Sequence, residues 1–377
     1  MNKASVRKPS PEDPIEVVGL GLAGCLIAWK LVRAGFKVRA WHQVLPGAAS
    51  EVAPGLINPL ASRKFAMSEW FPLQWDSAQR LYAEMEAEFG IRLYHQRPIL
   101  RVIRNDVQQR AFKQLLENRD HDIRRDSIGE IFPAGHWDFL QRDTRGSFET
   151  LGGGWVDLPK LVETVRAWLQ DKGCVEKQLW TPEATPDARR VIHCQGWRAG
   201  SDAFWSYLPH NPAKGELLWV RPKKALPEDY LLHGGTWLQA VEPGIWRVGA
   251  RYSWDAFEEG PSNTGTEALT RQIHDWLDCD WDCLRAEAGV RPIIEDTKPV
   301  VGAHPEAEGH YIFNGLGSKG AIQGPWLAEQ LMQLLLEGHS QLPLTHDVRR
   351  FNARWVPSRR APFWKRWFAA GPEKSGD

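Results

Sequence analysis

The sequence predicts an α/β fold in which a Rossmann-like, dinucleotide-binding domain is interleaved with an α+β domain containing a mainly antiparallel sheet. Three observations carry this prediction. The stretch Ile15–His42, IEVVGLGLAGCLIAWKLVRAGFKVRAWH, reads as strand, glycine turn, amphipathic helix and strand, the order of a dinucleotide-binding βαβ unit. Between Lys214 and Tyr252, three strand-like runs follow one another, the last two joined by the turn Glu242-Pro243-Gly244, as in an antiparallel sheet. Near the end, Tyr311-Ile312-Phe313-Asn314 enters a second glycine-rich loop and a long helical pattern. Parallel-sheet signals at the start, middle and end, with antiparallel signals between them, do not suit a nicotinamide dehydrogenase, whose nucleotide domain is one block of alternating strands and helices.

In the first unit each glycine has a physical task. Gly19 permits the tight turn off the strand, Gly21 leaves room for a pyrophosphate beside the backbone, and Gly24 lets the helix pack closely on the strand. Leu22 and Ala23 then start a helix whose free N–H groups and positive dipole end face the phosphates. The end of the second strand, where such units place Asp or Glu for the adenosine ribose, holds His42. A histidine can exchange a hydrogen bond with a hydroxyl but supplies no carboxylate, so the nucleotide's identity stays open at this point.

The totals limit the function. In 377 residues, Lys+Arg and Asp+Glu are both 47, giving zero net charge, which argues against whole-protein attraction to nucleic acid. A hydrophobic content of 42% supports a sizeable core, and the 20 tryptophans supply packing bulk and candidate pocket walls. The five cysteines, Cys25, Cys174, Cys194, Cys279 and Cys283, are scattered, and the polar, proline-containing start has no apolar leader; reduced thiols and a cytoplasmic location are expected. Cys279 and Cys283 lack two further ligands at workable spacing, so no metal site is expected. No apolar run approaches a membrane span.

Along the chain, the loop PGAASEVAPGLINPLASRKF is rich in small residues, which suits close approach to a ligand or a plain surface loop. A helix is expected from Trp70 to Phe89, with Leu73, Ala78, Leu81, Met85 and Phe89 on its apolar face. Strands follow around Tyr94 and Pro98–Val102, a helix over Val107–Leu116, and irregular strands near Ile131-Phe132 and Gly146–Glu149. Gly152-Gly153-Gly154 forms a turn, and Asp157 and Pro159 start a helix that Gly173 ends. Cys174-Val175-Glu176 and Arg190–Cys194 read as strands, Thr266–Leu277 as a helix, and Pro325–Leu336 as the late helix. From Arg349 the chain mixes Arg349, Arg350, Arg354, Arg359, Arg360, Lys365 and Arg366 with Phe351, Trp355, Phe363, Trp364, Trp367 and Phe368. Such a mixture suits RNA or an anionic surface, or an amphipathic helix packed on its own domain, the preferred reading.

Taken in order, these motifs resemble the FAD-dependent oxidoreductases of the D-amino-acid oxidase family, which includes glycine oxidase and sarcosine oxidase. The resemblance covers about residues 15–340 and runs through GLGLAG, AASEVAPGLINP, GGGWVDLPKL, KGELLWV, WRVGARY, GVRP, DTKPVVGAHP and GLGSKG. The end segment FNGLGSKGAIQGPWLAEQL looks most like the oxidase half of the bifunctional tRNA methylaminomethyl-thiouridine biosynthesis protein, which removes a carboxymethyl group from a wobble uridine's amine. The resemblance implies a cytoplasmic flavoprotein with non-covalent FAD, since no cysteine matches the usual attachment point. It implies an FAD-binding domain from 15–66, 151–212 and 291–342, a substrate domain from 67–150 and 213–290, and a basic-aromatic tail over 343–377. Its cofactor-binding residues would be Gly19, Gly21, Leu22, Ala23, Gly24, His42, Ala49, Ser50, Gly55, Leu56, Val175, Gly196, Gly315, Gly317, Ser318, Lys319 and Gly320.

The implied reaction is oxidation of a C–N bond in an amino acid or secondary amine, by hydride transfer to the flavin, with oxygen as acceptor and an imine and hydrogen peroxide as products. Arg291 in GVRP matches the arginine that holds a substrate carboxylate, against a salt bridge at the domain junction. Arg251 and Tyr252 fall where pocket-lining strands lie. Lys319 is an anion contact, a group near the flavin's oxygen-reactive edge, or a solvated loop lysine. Two alternatives stay open: a tRNA-modifying oxidase, motivated by the tail, and a dehydrogenase with another acceptor, motivated by His42 and Ser318. The expected partner is a small amine or amino acid, with tRNA through the tail as the alternative. The oligomeric state is not legible.

Overall fold

A computed structural model of the chain describes residues 13–62, 64–117, 126–185, 188–257 and 260–355. Two sheets organise it. The first has six strands in the order Val300–Ala303, His310–Asn314, Arg190–His193, Ile15–Val18, Val38–Trp41 and Val175–Glu176. All its pairings are parallel except that of Val300–Ala303 with His310–Asn314. The central strand Ile15–Val18 is buried throughout, as a parallel strand covered on both faces must be. It nevertheless carries Glu16. The carboxylate accepts from Arg39 on the neighbouring strand at 2.7–3.1 Å and from Trp41 Nε1 at 2.6 Å, so the buried charge is paired.

Helices α1 (Leu22–Arg33), α2 (Phe71–Phe89), α4 (Leu158–Asp171) and α6 (Gly320–Glu337) pack around this sheet in one apolar core; α3 is Asp106–Glu117 and α5 is Asn263–His274. Asp157 caps α4, accepting from Lys160 N at 3.2 Å, as the sequence predicts. The second sheet has eight strands in the order Trp281–Arg291, Ala213–Pro222, Ile245–Ser253, Trp237–Glu242, Leu231–His233, Ile99–Val102, Ser147–Thr150 and Ile128–Phe132. Only the pairing of Leu231–His233 with Ile99–Val102 is parallel. Its outer face, with Leu218, Val248 and Leu238, packs on α5 and the turn after it through Ile273, Trp276 and Leu277. A small sheet of Leu56–Ile57, Gly154–Val156 and Tyr94–Gln96 lies between. The fold is thus the mixed α/β arrangement predicted.

One strand was not anticipated, and three local readings need correction. Trp281–Arg291 is an eleven-residue edge strand; its interior reads DCLRAEAG, too polar and helix-prone to announce a strand. Helix α5 runs Asn263–His274, because Ser262 rather than a later residue caps it, accepting from Gly265 N. Helix α6 starts at Gly320 rather than Pro325. Pro325 sits in its second turn, and the Ala321 carbonyl that a residue-325 N–H would have met instead accepts from Tyr82 Oη at 2.6 Å. In α2, Leu73 is 53% exposed, and the buried face carries Gln74, Ser77, Ala78, Leu81, Tyr82 and Met85.

The start of the basic-aromatic segment, Val348–Arg354, is a short 3-10 helix with Val348 and Phe351 buried. Its arginines pair with acids: Arg349 with Asp347, Arg350 with Asp296 and Arg354 with Glu295. Arg359, Arg360, Phe363, Trp364, Lys365, Arg366, Trp367 and Phe368 lie outside the described residues.

Candidate active site

A cleft of about 1050 Å³ separates the two sheets. At one end lies the first glycine turn. Gly19 has φ +94°, and a Cβ there would stand 2.7 Å from the Cys194 carbonyl oxygen; a Cβ on Gly24 would stand 1.8 Å from the Gly19 carbonyl oxygen. Both contacts are with backbone, so only glycine fits. Helix α1 starts at the rim without a side-chain cap from Gly21; Leu22 N instead donates to Ser50 Oγ at 2.9 Å. Arg166 of α4 braces the turn, donating from Nε to the Leu20 carbonyl at 2.7 Å and from NH1 to Glu51 at 2.6 Å.

His42 is half-buried beside this turn. Burial, and then the charge of Arg166, pushes its pKa down to about 4, while Glu51 opposes the shift. The ring is therefore neutral near pH 7, and the carboxylate on this side of the cleft is that of Glu51, ion-paired with Arg166.

The late glycine loop forms another part of the wall. Gly315 and Gly317 have φ of +73° and +54°. The loop is tied to its neighbours by Asn314 Nδ2 donating to the Gly196 carbonyl at 2.8 Å and Gly317 N donating to the Pro292 carbonyl at 3.0 Å. A Cβ on Gly320 or Gly324 would come 3.0 or 2.8 Å from Leu22 or Leu26, so α6 and α1 pack through these glycines. The N-terminal ends of both helices, Leu22 and Gly320, thereby open onto one cleft. Burial, with Lys298, lowers the pKa of Lys319 at the start of α6.

The eight-stranded sheet forms the opposite wall, with Gly215, Leu217, Trp237, Tyr252, Gly289 and Arg291 facing in. The Arg291 guanidinium lies 4.0 Å from the Tyr252 ring centroid, and a Cβ on Gly215 would stand 3.1 Å from it. Burial lowers its pKa, and among the described residues no carboxylate pairs with it. It is a desolvated cation whose open side is the cleft.

Most sequence-predicted residues meet here: Gly19, Gly21, Leu22, Ala23, His42, Ala49, Ser50, Gly55, Leu56, Gly196, Tyr252, Arg291, Gly317, Ser318, Lys319 and Gly320 line the cleft. Four do not. Gly24 and Gly315 act one layer behind it through packing and loop shape. Val175 pairs with Ala40 at the sheet edge, and the wall there is made by the following residues, Gln178 to Glu183. Arg251 pairs in register with Glu216, which turns away from the cleft to bond Ser262 at the start of α5; strand alternation sends Arg251 to that side and Tyr252 to the cleft. His233, Gln74, Arg166, Asp202 and Phe204 also line the cleft and were not anticipated. Arg166 had a signal in its position on the cleft-side turn of an expected helix, whereas His233 depends on strand register that the sequence does not give.

No group of three or more metal-ligating side chains occurs among the described residues, and none of their helices is long and apolar enough to cross a membrane. The family profile described as DAO, FAD dependent oxidoreductase, matches residues 15–334. A tRNA 5-methylaminomethyl-2-thiouridine biosynthesis bifunctional protein MnmC from Marinobacter nauticus is 22% identical over 350 residues, 85% of this chain and 55% of the relative. The same-named protein of a Marinomonas species is 27% identical over 199 residues, 52% of this chain and 27% of the relative. The chain thus spans little more than half the length of these curated relatives at most. Among solved structures, glycine oxidase from Geobacillus kaustophilus superposes with a TM-score of 0.71 at 19% identity, covering 89% of this chain and 97% of that one. Iminodiacetate oxidase from Chelativorans sp. BNC1 gives 0.70 at 18% identity, covering 88% and 97%.

Proposed function

This chain belongs to the DAO family of FAD-dependent oxidoreductases, and from that premise we propose that it oxidises the C–N bond of an amino acid or secondary amine whose carboxylate lies close to the amine. The cleft fits the dinucleotide. Gly19 and Gly24 hold a cradle that a Cβ would fill, α1 offers the N–H groups after Leu22, whose own N–H Ser50 takes, to a pyrophosphate, and the start of α6 offers a second positive helix end. When bound, FAD supplies the acceptor for the hydride and its electron pair.

The observation that carries the substrate reading is Arg291, a largely buried guanidinium with Tyr252 on one side, no carboxylate partner among the described residues, and an open face on the cleft. A planar fork in that setting suits a bidentate carboxylate. Holding the carboxylate there orients the adjacent C–N bond. Oxygen is the proposed electron acceptor. Peroxide release over glycine, sarcosine, D-amino acids and proline tests both points: turnover of one or more of them is expected. Silence across the panel, with turnover only when an artificial dye accepts electrons, would favour the dehydrogenase reading.

A second reading rests on the relatives named for tRNA modification. A carboxymethylated amine on a nucleoside presents the same carboxylate beside the same C–N bond, so Arg291 would serve either substrate. The paired arginines of Val348–Arg354 weaken the argument from the tail's charge over the described part. Glyoxylate release from tRNA bearing the modified uridine, leaving the free amine on the base, against no turnover of the small-amine panel, would favour this reading.

A further inference from the structure

Behind the cleft wall lies a second buried cation. Arg101 is 4% exposed, and none of the ion pairs among the described residues involves it. Its NH1 meets His233 Nδ1 at 3.0 Å, its NH2 donates to the Ser62 carbonyl at 3.3 Å, and its Nε has no partner. Phe65 covers the guanidinium at 5.3 Å. Burial lowers the pKa of Arg101 only to about 10, so the guanidinium remains a donor near neutral pH.

The Arg101 contact fixes the state of His233. Arg101 has only N–H groups to offer, so Nδ1 must accept, and the ring proton of a neutral imidazole must then sit on Nε2. Gly235 N also points at Nδ1, at 3.4 Å. Nε2 has no hydrogen-bond partner among the described residues, and the ring lines the cleft. His233 and Arg101 pair in strand register, so the backbone holds the two together.

We propose that His233, positioned by Arg101, presents an Nε2–H donor to the cleft and selects substrates that carry a hydrogen-bond acceptor, such as a carboxylate or amide oxygen, at the end remote from the carboxylate held by Arg291. This rests on the proposed role of Arg291. The strands bearing the two side chains are the first and fifth of the sheet, which at ~4.8 Å per strand places their backbones ~19 Å apart. The recognised molecule is therefore longer than glycine or sarcosine, with its second polar group several bonds from the oxidised carbon.

The test titrates the FAD-loaded protein with unreactive carboxylates and follows the flavin absorbance. Succinate, adipate and suberate are compared with hexanoate and octanoate. In the native protein one dicarboxylate is expected to bind ~10-fold tighter than its matched monocarboxylate. His233→Phe should erase that preference without weakening the monocarboxylate, and His233→Gln, which keeps an N–H donor, should restore part of it. Equal binding in the native protein, or a preference that survives His233→Phe, overturns the proposal. Arg291→Ala should weaken both ligand classes; if monocarboxylate binding survives that change, the Arg291 reading fails, separately from His233.

A second readout needs no substrate. Nitrogen NMR of histidine-labelled protein, with the His233 signals identified by their loss in His233→Gln, should show the proton on Nε2 at neutral pH. Arg101→Met should release that tautomer and reduce the dicarboxylate preference. A proton on Nδ1 in the native protein overturns the assignment.

Discussion

The two ends of the cleft are built by different means. The Gly19–Gly24 end is a main-chain object: its shape depends on the absence of side chains over a few consecutive residues. The Arg291–His233 wall is a side-chain object, assembled from strands whose residues span 99 to 291 in sequence. A main-chain cradle fails sterically, together with the fold that shares its backbone. A side-chain wall can lose one group and keep the fold, changing only what is bound.

The largest expected effect breaks the first end. Gly24→Ala drives a Cβ to 1.8 Å from the Gly19 carbonyl oxygen, and neither backbone can move far, because Gly19 N is itself bonded to the Trp41 carbonyl at 2.9 Å. We expect a loss of about 3 kcal/mol or more in urea unfolding and poor flavin retention. Gly21→Ala is the control for stability only: its nearest neighbour is the Ser50 hydroxyl at 3.2 Å, a side chain rather than backbone, so the loss in urea unfolding should stay below about 1 kcal/mol even though Ser50 must loosen its bond with Leu22 N. Equal effects of the two changes would show that the cradle is not the rigid element described.

At the second end, Arg291→Ala should lower kcat/KM for carboxylate substrates by ~10²-fold, the equivalent of about 3 kcal/mol of charge-assisted hydrogen bonding. Flavin content and the unfolding midpoint should hardly change, since Arg291 has no carboxylate partner among the described residues to leave unpaired. Parallel loss of flavin and activity would place Arg291 on the cofactor's side of the cleft.

The same contrast explains what was legible in the sequence. The glycine turns could be read because each is a few residues long and the requirement is local: Gly19 and Gly317 adopt positive φ and a helix follows each turn, although the later helix starts at Gly320, ahead of the expected Pro325. The wall was harder. Arg291 was accessible only through a family resemblance, and nothing in LLHGG announces that His233 will meet Arg101 across a parallel strand pair. Arg251 and Tyr252 are adjacent in sequence, but period-two alternation sends one to each face, and which faces in depends on the pairing with Gly215 and Glu216. Trp281–Arg291 was missed as a strand because its residues are polar, and its pairing with Ala213–Pro222 decides its conformation.

Helix α6 carries part of the cradle, and its second turn sharpens the comparison with a smaller effect. Tyr82→Phe removes the donor to the Ala321 carbonyl and should cost roughly 1–3 kcal/mol, as a buried acceptor left without a partner does. In a Pro325→Ala background a helical N–H becomes available to that carbonyl, so the same Tyr82 change should cost less. A double-mutant cycle on unfolding free energies reads the difference; additive effects would mean that the tyrosine and the proline do not share the carbonyl.

The smallest effect concerns pH. His42 beside the glycine turn and His346 near α6 both have folded pKa values of about 4, lowered from the ordinary 6.5 first by burial and then by neighbouring cations: Arg166 at His42, Lys298 and Arg350 at His346. Between about pH 4 and 6.5 the unfolded chain therefore binds more protons than the folded one at these sites, so stability rises with pH across that window. Their contribution is fully present above pH 6.5, declines as pH falls through the window, and changes no further below about 4. His42→Asn should flatten part of the acid-side slope in thermal unfolding while leaving the pH 7 to 8 plateau level. His346 packs against Trp70 and Trp326 outside the cleft lining, and His346→Asn should do the same. Because different cations act on the two histidines, Arg166 on one and Lys298 and Arg350 on the other, their slope changes should add. An acid-side slope unchanged in both variants would move the origin of the acid sensitivity to the His193–His310 pair, where burial pushes His310 down to about 3.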